Sequence, residues 1–240
     1  MIFSRRDGVT MMRFPALECR GAVRHAVFTR EGGESTGPFA GLNTALSVGD
    51  RPDAVRRNRE AIRRCLGGGR LCLVRQVHGD TVRIAGPGKP DGGEADALVT
   101  DQPDRLLVIQ VADCQPVLLC DPVRRVVANV HSGWRGSIQN VVGKTVAVMV
   151  DRFGVDPRTV VAGIGPSLGP CCAEFIHYRR EIPELYWGYR DGACRFDFRA
   201  ITRDQLRAAG LAPANIHDSG ICTRCNPHLF FSYRGARITG

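Results

Sequence analysis

Four short runs between residues 97 and 130 carry almost no polar side chain: 97–100 (ALVT), 106–112 (LLVIQVA), 116–121 (PVLLCD) and 126–130 (VVANV). Each is too short for a typical helix and reads as a strand covered on both faces. A sheet buried on both sides requires further layers above and below it. Shorter runs at 71–77, 81–85, 159–164, 195–198, 216–218 and 229–233 read as additional strands, and 23–29 alternates apolar and polar residues like a half-buried one.

Helical signals fall between these runs without regular alternation. Asp50 is a plausible N-cap for a helix with Pro52 in its first turn and Val55, Ile62 and Leu66 on one face, stopped by Gly67–Gly69. Ser137 is placed to cap a helix running to Arg152, closed by Gly154. Helices are also expected near 178–187, with Pro183 inside it, and near 200–209. The irregular mixture favours an α/β (α+β) layered sandwich, mixed sheets flanked by helices, over a doubly wound parallel sheet. No composition break or repeat divides the chain, so one domain over 1–240 is expected.

The net charge is +9, carried by 31 Arg and 2 Lys. This permits acidic or phosphorylated small ligands. No basic tail or basic–aromatic stretch supports a nucleic-acid partner. No apolar run reaches the ~18 residues of a membrane span, so no membrane partner is expected. Arg5-Arg6 resembles the start of a twin-arginine signal, but charges and a proline follow where an apolar core belongs. The N-terminus therefore reads as unprocessed, with Met11 or Met12 as alternative starts, and a cytoplasmic location follows as an expectation. The ten cysteines then read mainly as reduced, small buried hydrophobes. A monomer or small homo-oligomer is compatible with all of this.

Three segments put a reactive side chain where an apolar strand gives way to a turn: Arg75-Gln76-Val77-His78-Gly79-Asp80, Val111-Ala112-Asp113-Cys114-Gln115-Pro116 and Val130-His131-Ser132-Gly133-Trp134-Arg135-Gly136. His78, Cys114 and His131 are donors suited to zinc or copper, and three protein ligands leave a coordination position open. The same residues permit a metal-free reading, with Cys114 as nucleophile, His131 as its base and a backbone nest near Gly133 for an oxyanion. Spacing does not choose between them. Asp80 and Asp113 are candidates either for orienting the histidines or for capping their own turns. Cys222-Thr-Arg-Cys225 is one CxxC pair, insufficient alone for a structural zinc site, and Cys171-Cys172 reads as ordinary packing. The segment at 163–167 (GIGPS) begins like a phosphate loop but lacks its Lys-Ser/Thr.

The motifs FTREGGESTGPFAGLN, RQVHGD, DALVTD, ADCQPVLLCDP, HSGWRG, GIGPSLGPCCAEF, CTRC and FFSYR occur in this order. Together, over about 27–234, they resemble the YfiH-like family, long labelled polyphenol oxidase or laccase and now described as purine nucleoside phosphorylases. The resemblance implies a layered α/β sandwich related in architecture to the deamidase domain of cytotoxic necrotizing factor. It also implies zinc, or copper, at His78, Cys114 and His131. The implied activities are phosphorolysis of adenosine, inosine and S-methyl-5'-thioadenosine, and adenosine deamination. A role in peptidoglycan-precursor editing is a further implication. Motif membership and residue type make Asn43, Arg59, Arg75, Gln76 and Arg135 the candidates for holding nucleoside or phosphate. A laccase-like phenol oxidase would need several copper ions, which six histidines, three of them without supporting motifs, support poorly. Two departures, Thr44 after Asn43 and Ala173 after the paired cysteines, are expected to alter the pocket wall.

Overall fold

The structure, a computed structural model, describes residues 1–21, 23–87 and 92–240. The chain opens with an antiparallel hairpin of β1 (Ile2–Arg6) and β2 (Val9–Arg13), to which β3 (Val27–Phe28) adds a third strand. The turn is Asp7-Gly8 with positive φ at both residues, the conformation that matches hairpin twist. Met11 and Met12 thus lie inside β2, both buried.

α1 (Pro52–Cys65) follows the long glycine-rich loop. Its N-cap is Arg51, not Asp50. Asp50 is turned inward, accepting hydrogen bonds from Ser35 Oγ (2.6 Å), Asn43 Nδ2 (2.8 Å) and the Arg51 backbone (2.7 Å). Burial opposes its charge, but these donors outweigh that and hold the carboxyl below its ordinary value. Tying the loop takes precedence over capping the helix.

β4 (Arg70–Cys72) pairs in parallel with β7 (Arg105–Leu107) as a separate two-stranded sheet. β5 (Val82–Ile84), β6 (Ala97–Thr100), β8 (Gln115–Asp121), β9 (Val126–Ser132), β10 (Val161–Ile164) and β11 (Ile216–Asp218) form the central mixed sheet in the order β11-β10-β8-β9-β6-β5. Every residue of β8 is buried. Its period-2 alternation serves two cores: Val117 and Leu119 face one layer, while Leu118 and Cys120 face the other.

The first layer is helical. Helix α2 (Trp134–Ile138) ends early, and α3 (Val141–Phe153) begins at Asn140, which has φ 59° and accepts the Gly143 N–H on Oδ1 at 3.1 Å. The single helix expected from Ser137 is therefore two, because the asparagine cap is stronger than a buried serine inside α2. α3 and α5 (Phe198–Ala208, capped by Asp197) cover the sheet through Val142, Val146, Met149 and Leu206. Between them, α4 (Tyr178–Glu181) stops before Pro183, and a 3-10 turn over Glu184–Tyr189 continues the path. Residues 195–198 and 229–233 form no strand, and the chain ends with the short α6 (Tyr233–Ala236). The expected strands over 23–29 and 71–77 shrink to β3 and β4.

The opposite layer is the N-terminal segment. Phe14 and Leu17 pack on Leu118 and Cys120. A Cβ on Gly163 would lie 2.8 Å from both Phe14 Cδ2 and Leu17 Cδ1, and one on Gly165 would lie 2.7 Å from Pro116 Cγ. The glycines of 163–167 therefore permit close packing of β10 and need no phosphate to explain them.

His25 is buried here and accepts the Phe14 N–H on Nε2 at 2.9 Å. Burial is the main reason its pKa lies below the ordinary 6.5. Between the folded and unfolded values the unfolded chain binds more protons, so this group's contribution to stability rises as pH rises through that window and levels off above 6.5. Urea unfolding across the window should show that slope, and His25→Gln should flatten it; an unchanged slope would contradict the assignment.

Candidate metal centre

The β8–β9 hairpin sets the geometry. In its antiparallel register Pro116 lies opposite His131 and Gln115 opposite Ser132. Cys114, immediately before β8, is thereby brought to the end of β9 that carries His131. His131 follows Val127 and Asn129 on the strand face turned away from α3, whereas Val126, Ala128 and Val130 fill the helical core. His78 arrives from the turn after residues 75–77. Ligand atoms of His78, Cys114 and His131 all lie within 4.8 Å of one another. The two imidazoles meet edge to face with centroids 4.8 Å apart.

Asp96, fully buried, organises this convergence. Its Oδ1 accepts the His78 N–H (3.0 Å) and faces His131 Nδ1 at 2.7 Å; its Oδ2 accepts the Gly79 N–H (2.7 Å) and the Val77 N–H (3.3 Å). Three successive N–H groups wrapped on one carboxylate account for His78 adopting φ 59° without being glycine. The His131 N–H also donates to the Asp96 carbonyl at 2.7 Å. With Nδ1–H given to a carboxylate, the Nε2 lone pair is left for a metal. Burial opposes the Asp96 charge, but His131 and the N–H groups hold its pKa below the ordinary value.

Without a cation, burial disfavours charge on both Cys114 and His131, yet their mutual contact reverses it. Hydrogen bonds from His131 and His78 bring the Cys114 thiol down to about 7. Asp96 and Cys114 raise His131 to about 9. Without an ion the site thus pairs a thiolate with a protonated His131; a zinc or copper ion would displace the Nε2 proton, because a ligand set of this kind is a thiolate with neutral imidazoles.

Gly133 leaves the room. A Cβ there would lie 3.0 Å from both Cys114 Sγ and His78 Cδ2. The backbone at φ −71°, ψ 173° is open to any residue, so Gly133→Ala perturbs the ligands without straining the chain. It should weaken zinc binding by about 10–100-fold, the range for disturbing ligand support, measured by chelator competition, with the melting temperature near wild type. Undiminished affinity would show that the three side chains do not close on an ion here.

The other candidates surround one cavity of about 1220 Å³ that includes all three donors in its lining. Arg59 lines it, with Nε bonded to the Thr44 carbonyl at 2.8 Å. Arg135 also lines it, its guanidinium 4.6 Å from the Trp134 ring centroid. Asn43 is buried and bonded to Asp50 and Ala45. Gln76 is bonded at both ends to the Gln110 backbone. Arg75 pairs with Glu94 at the exposed rim. Thr44 binds Gln110 Nε2 at 3.0 Å, so this departure from the family pattern ties the wall together. Ala173 is buried in the aromatic cluster of Phe196, Phe198 and Tyr178.

Neither Asp80 nor Asp113 orients a histidine. Asp80 pairs with Lys144. Asp113 accepts Thr223 Oγ1 and the Arg234 N–H, both at 2.6 Å, anchoring the C-terminal segment. Asp96 was the residue that motif reading passed over; its sole signal was membership of DALVTD. A second convergence was also missed: Cys171, Cys172, Cys222 and Cys225 lie with all four sulfurs within 4.8 Å of one another.

A layered α/β fold that brings His, Cys and His together in the lining of one large cavity has the donor set of a metal-binding, enzyme-like site. Residues 24–240 match the family described as "Multi-copper polyphenol oxidoreductase laccase", and the chain belongs to this YfiH-type family. Its relatives include "Purine nucleoside phosphorylase YlmD" of Geobacillus stearothermophilus, 34% identical over 91% of this chain and 87% of the relative. "Purine nucleoside phosphorylase" of Deinococcus radiodurans is 34% identical over 95% and 88%. Among solved structures, YlmD from Geobacillus stearothermophilus superposes with TM-score 0.87 at 31% identity, covering 100% of this chain and 96% of that one. The Bacillus licheniformis hypothetical protein YfiH gives 0.87 at 30%, covering 99% and 96%. Among the described residues no helix is long and apolar enough to cross a membrane.

Proposed function

We propose that this chain is a zinc-dependent purine nucleoside phosphorylase acting on adenosine, inosine and S-methyl-5'-thioadenosine, with adenosine deamination as a second activity. The observation that carries the reading is the convergence of three metal donors, with a buried carboxylate behind one of them, on a cavity large enough for a nucleoside. The names of the relatives supply the reaction class.

The donors fit a metal of the zinc or copper type: a thiolate, two imidazoles, and a glycine that keeps the space between them clear. When bound, such an ion supplies Lewis acidity and makes a coordinated water acidic. Asp96 fixes the His131 tautomer. In phosphorolysis the C1'–N9 bond breaks, phosphate oxygen forms a bond to C1', and the base leaves with the bonding electrons and takes up a proton. Arg59 and Arg135, on the cavity wall, are assigned to the phosphate dianion, offsetting its charge and directing it toward C1'. Trp134 and Phe231, which also line the cavity, are assigned to the apolar contact with the purine. Asn43 and Gln76 hold the wall that shapes the nucleoside subsite, and Arg75 contributes positive charge at the mouth.

Incubating the protein with adenosine separates the activities. Adenine and ribose 1-phosphate formed only when phosphate is present indicate phosphorolysis, and inosine indicates deamination. Neither product with any of the three nucleosides would overturn the reading.

A second reading rests on the same geometry. Cys114, His131 and Asp96 stand as nucleophile, base and orienting carboxylate, the arrangement of a cysteine hydrolase. It leaves His78 only a supporting contact to the Cys114 thiol. A metal enzyme loses activity to a chelator and regains it with zinc, and zinc shields Cys114 from alkylation. A cysteine hydrolase ignores the chelator.

A further inference from the structure

Two pairs of cysteines more than forty residues apart in sequence meet beside the cavity. Cys171 and Cys172 lie in a turn closed by the Cys172 N–H to the Gly169 carbonyl at 2.9 Å. Cys222 and Cys225 lie in a second turn, closed by the Asn226 N–H to the Thr223 carbonyl at 3.1 Å and by Asn226 Nδ2 to the Cys222 carbonyl at 2.9 Å. Cys225 Sγ is 3.6 Å from both Cys171 Sγ and Cys172 Sγ. Zinc–thiolate bonds of about 2.3 Å in a tetrahedron place sulfurs about 3.8 Å apart, whereas a disulfide needs about 2.05 Å. These two separations match edges of a tetrathiolate site, and all four sulfurs lie within 4.8 Å of one another.

The backbone supports the same occupant. The Gly169 N–H points at Cys222 Sγ at 3.3 Å, and the Cys225 N–H is also directed to that sulfur. N–H donors aimed at sulfur stabilise a metal-bound thiolate. Arg199, 8% exposed, has a buried Nη1 that makes no hydrogen bond and is met only by the Asp218 carboxylate, as an ion pair at 3.7 Å. A Cβ on Gly169 would lie 3.1 Å from Arg199 Nη2, 3.1 Å from Cys222 Cβ and 3.4 Å from Cys171 Sγ. Gly169 thus admits a buried cation close to a group that carries net negative charge once four thiolates hold a divalent ion.

We infer that Cys171, Cys172, Cys222 and Cys225 form a second, structural metal site that binds one zinc-like thiophilic ion. Four protein sulfurs close the coordination sphere, so this ion takes no substrate. It clamps the turn after β10 to the C-terminal segment, already joined by a bridge between Ser167 and Cys222. That clamp lies behind Asp113, whose carboxylate holds Thr223 and the Arg234 N–H and whose carbonyl accepts the Leu168 N–H at 2.8 Å. The second ion therefore stiffens the support next to Cys114. The inference does not depend on which reaction the first site performs.

Native mass spectrometry of the reduced, zinc-loaded full chain tests it. Wild type should carry two zinc ions. Cys225→Ser and His78→Ala should each carry one, Cys225→His should keep two, and the double variant Cys225→Ser/His78→Ala should carry none. A single ion in wild type that survives Cys225→Ser overturns the inference. Should Cys225→Ser fail to fold, the wild-type chain still decides the matter. Removing zinc with a chelator should increase iodoacetamide labelling of Cys171, Cys172 and Cys225 at least tenfold. Labelling indifferent to zinc, or disulfides among these four in the purified protein, overturns it equally.

Discussion

Cys114→Ala should reduce kcat/KM for adenosine phosphorolysis by at least ~10³-fold and lower metal content by one ion per chain. An ion acting as a Lewis acid is worth several kcal/mol of barrier, and about 4 kcal/mol corresponds to ~10³ in rate. The loss should not come from unfolding. Cys114 lies just outside β8, is half-buried, and contributes to none of the apolar clusters that hold the sheets. Its neighbour Asp113 anchors the C-terminal segment and remains in place. Circular dichroism and the melting temperature should stay near wild type while zinc analysis and the phosphorolysis assay both drop. Full activity in this variant is incompatible with the metal centre and with the cysteine-nucleophile reading alike.

Asp96→Asn should be as damaging by a different route. Oδ1 serves His131 Nδ1 and the His78 N–H; Oδ2 serves the Gly79 and Val77 N–H groups. An asparagine must turn its NH₂ toward one of these pairs, setting donor against donor in a fully buried place. If the amide faces the N–H groups, the His78 turn loses the anion that holds φ 59°; if it faces His131, the imidazole loses the acceptor that fixes its tautomer. Breaking a buried charged network costs about 3–5 kcal/mol. Losing the partner of a ligating histidine costs about 10–100-fold in metal affinity. Urea unfolding and zinc competition on the same preparation should show both losses. Wild-type values in both would remove Asp96 from its organising position.

The convergence of His78, Cys114 and His131 was legible because each falls at the end of an apolar run inside a dense motif. The architecture followed from the buried runs at 97–100, 116–121 and 126–130, whereas 106–112 supplies only the half-buried β7 of the separate two-stranded sheet. What the sequence hid were pairings that depend on register and on distant segments. His131 can meet Asp96 because β9 lies antiparallel to β6, placing Val130 opposite Ala97; no local pattern announces that. The N-terminal hairpin carries a readable sign, Asp7-Gly8 between residues of β propensity, although the segment reads in the sequence only as an unprocessed terminus with no strand assigned. Asp50 looked like a helix cap because caps are judged from neighbours, whereas its partners Ser35 and Asn43 come from the loop folded over it. The break between α2 and α3 turns on Asn140 adopting a left-handed conformation, which an apolar periodicity running through both helices conceals. The sulfur cluster was unreadable for the simplest reason: each pair is incomplete alone, and only β10, the loop after it and the C-terminal turn bring them together.

The most direct measurement is anomalous scattering at the zinc absorption edge from crystals of the zinc-loaded chain. The account predicts a peak lying about 2.0–2.3 Å from His131 Nε2, from Cys114 Sγ and from an imidazole nitrogen of His78. Crystals whose zinc peaks all lie elsewhere, with these three side chains bare, would contradict it.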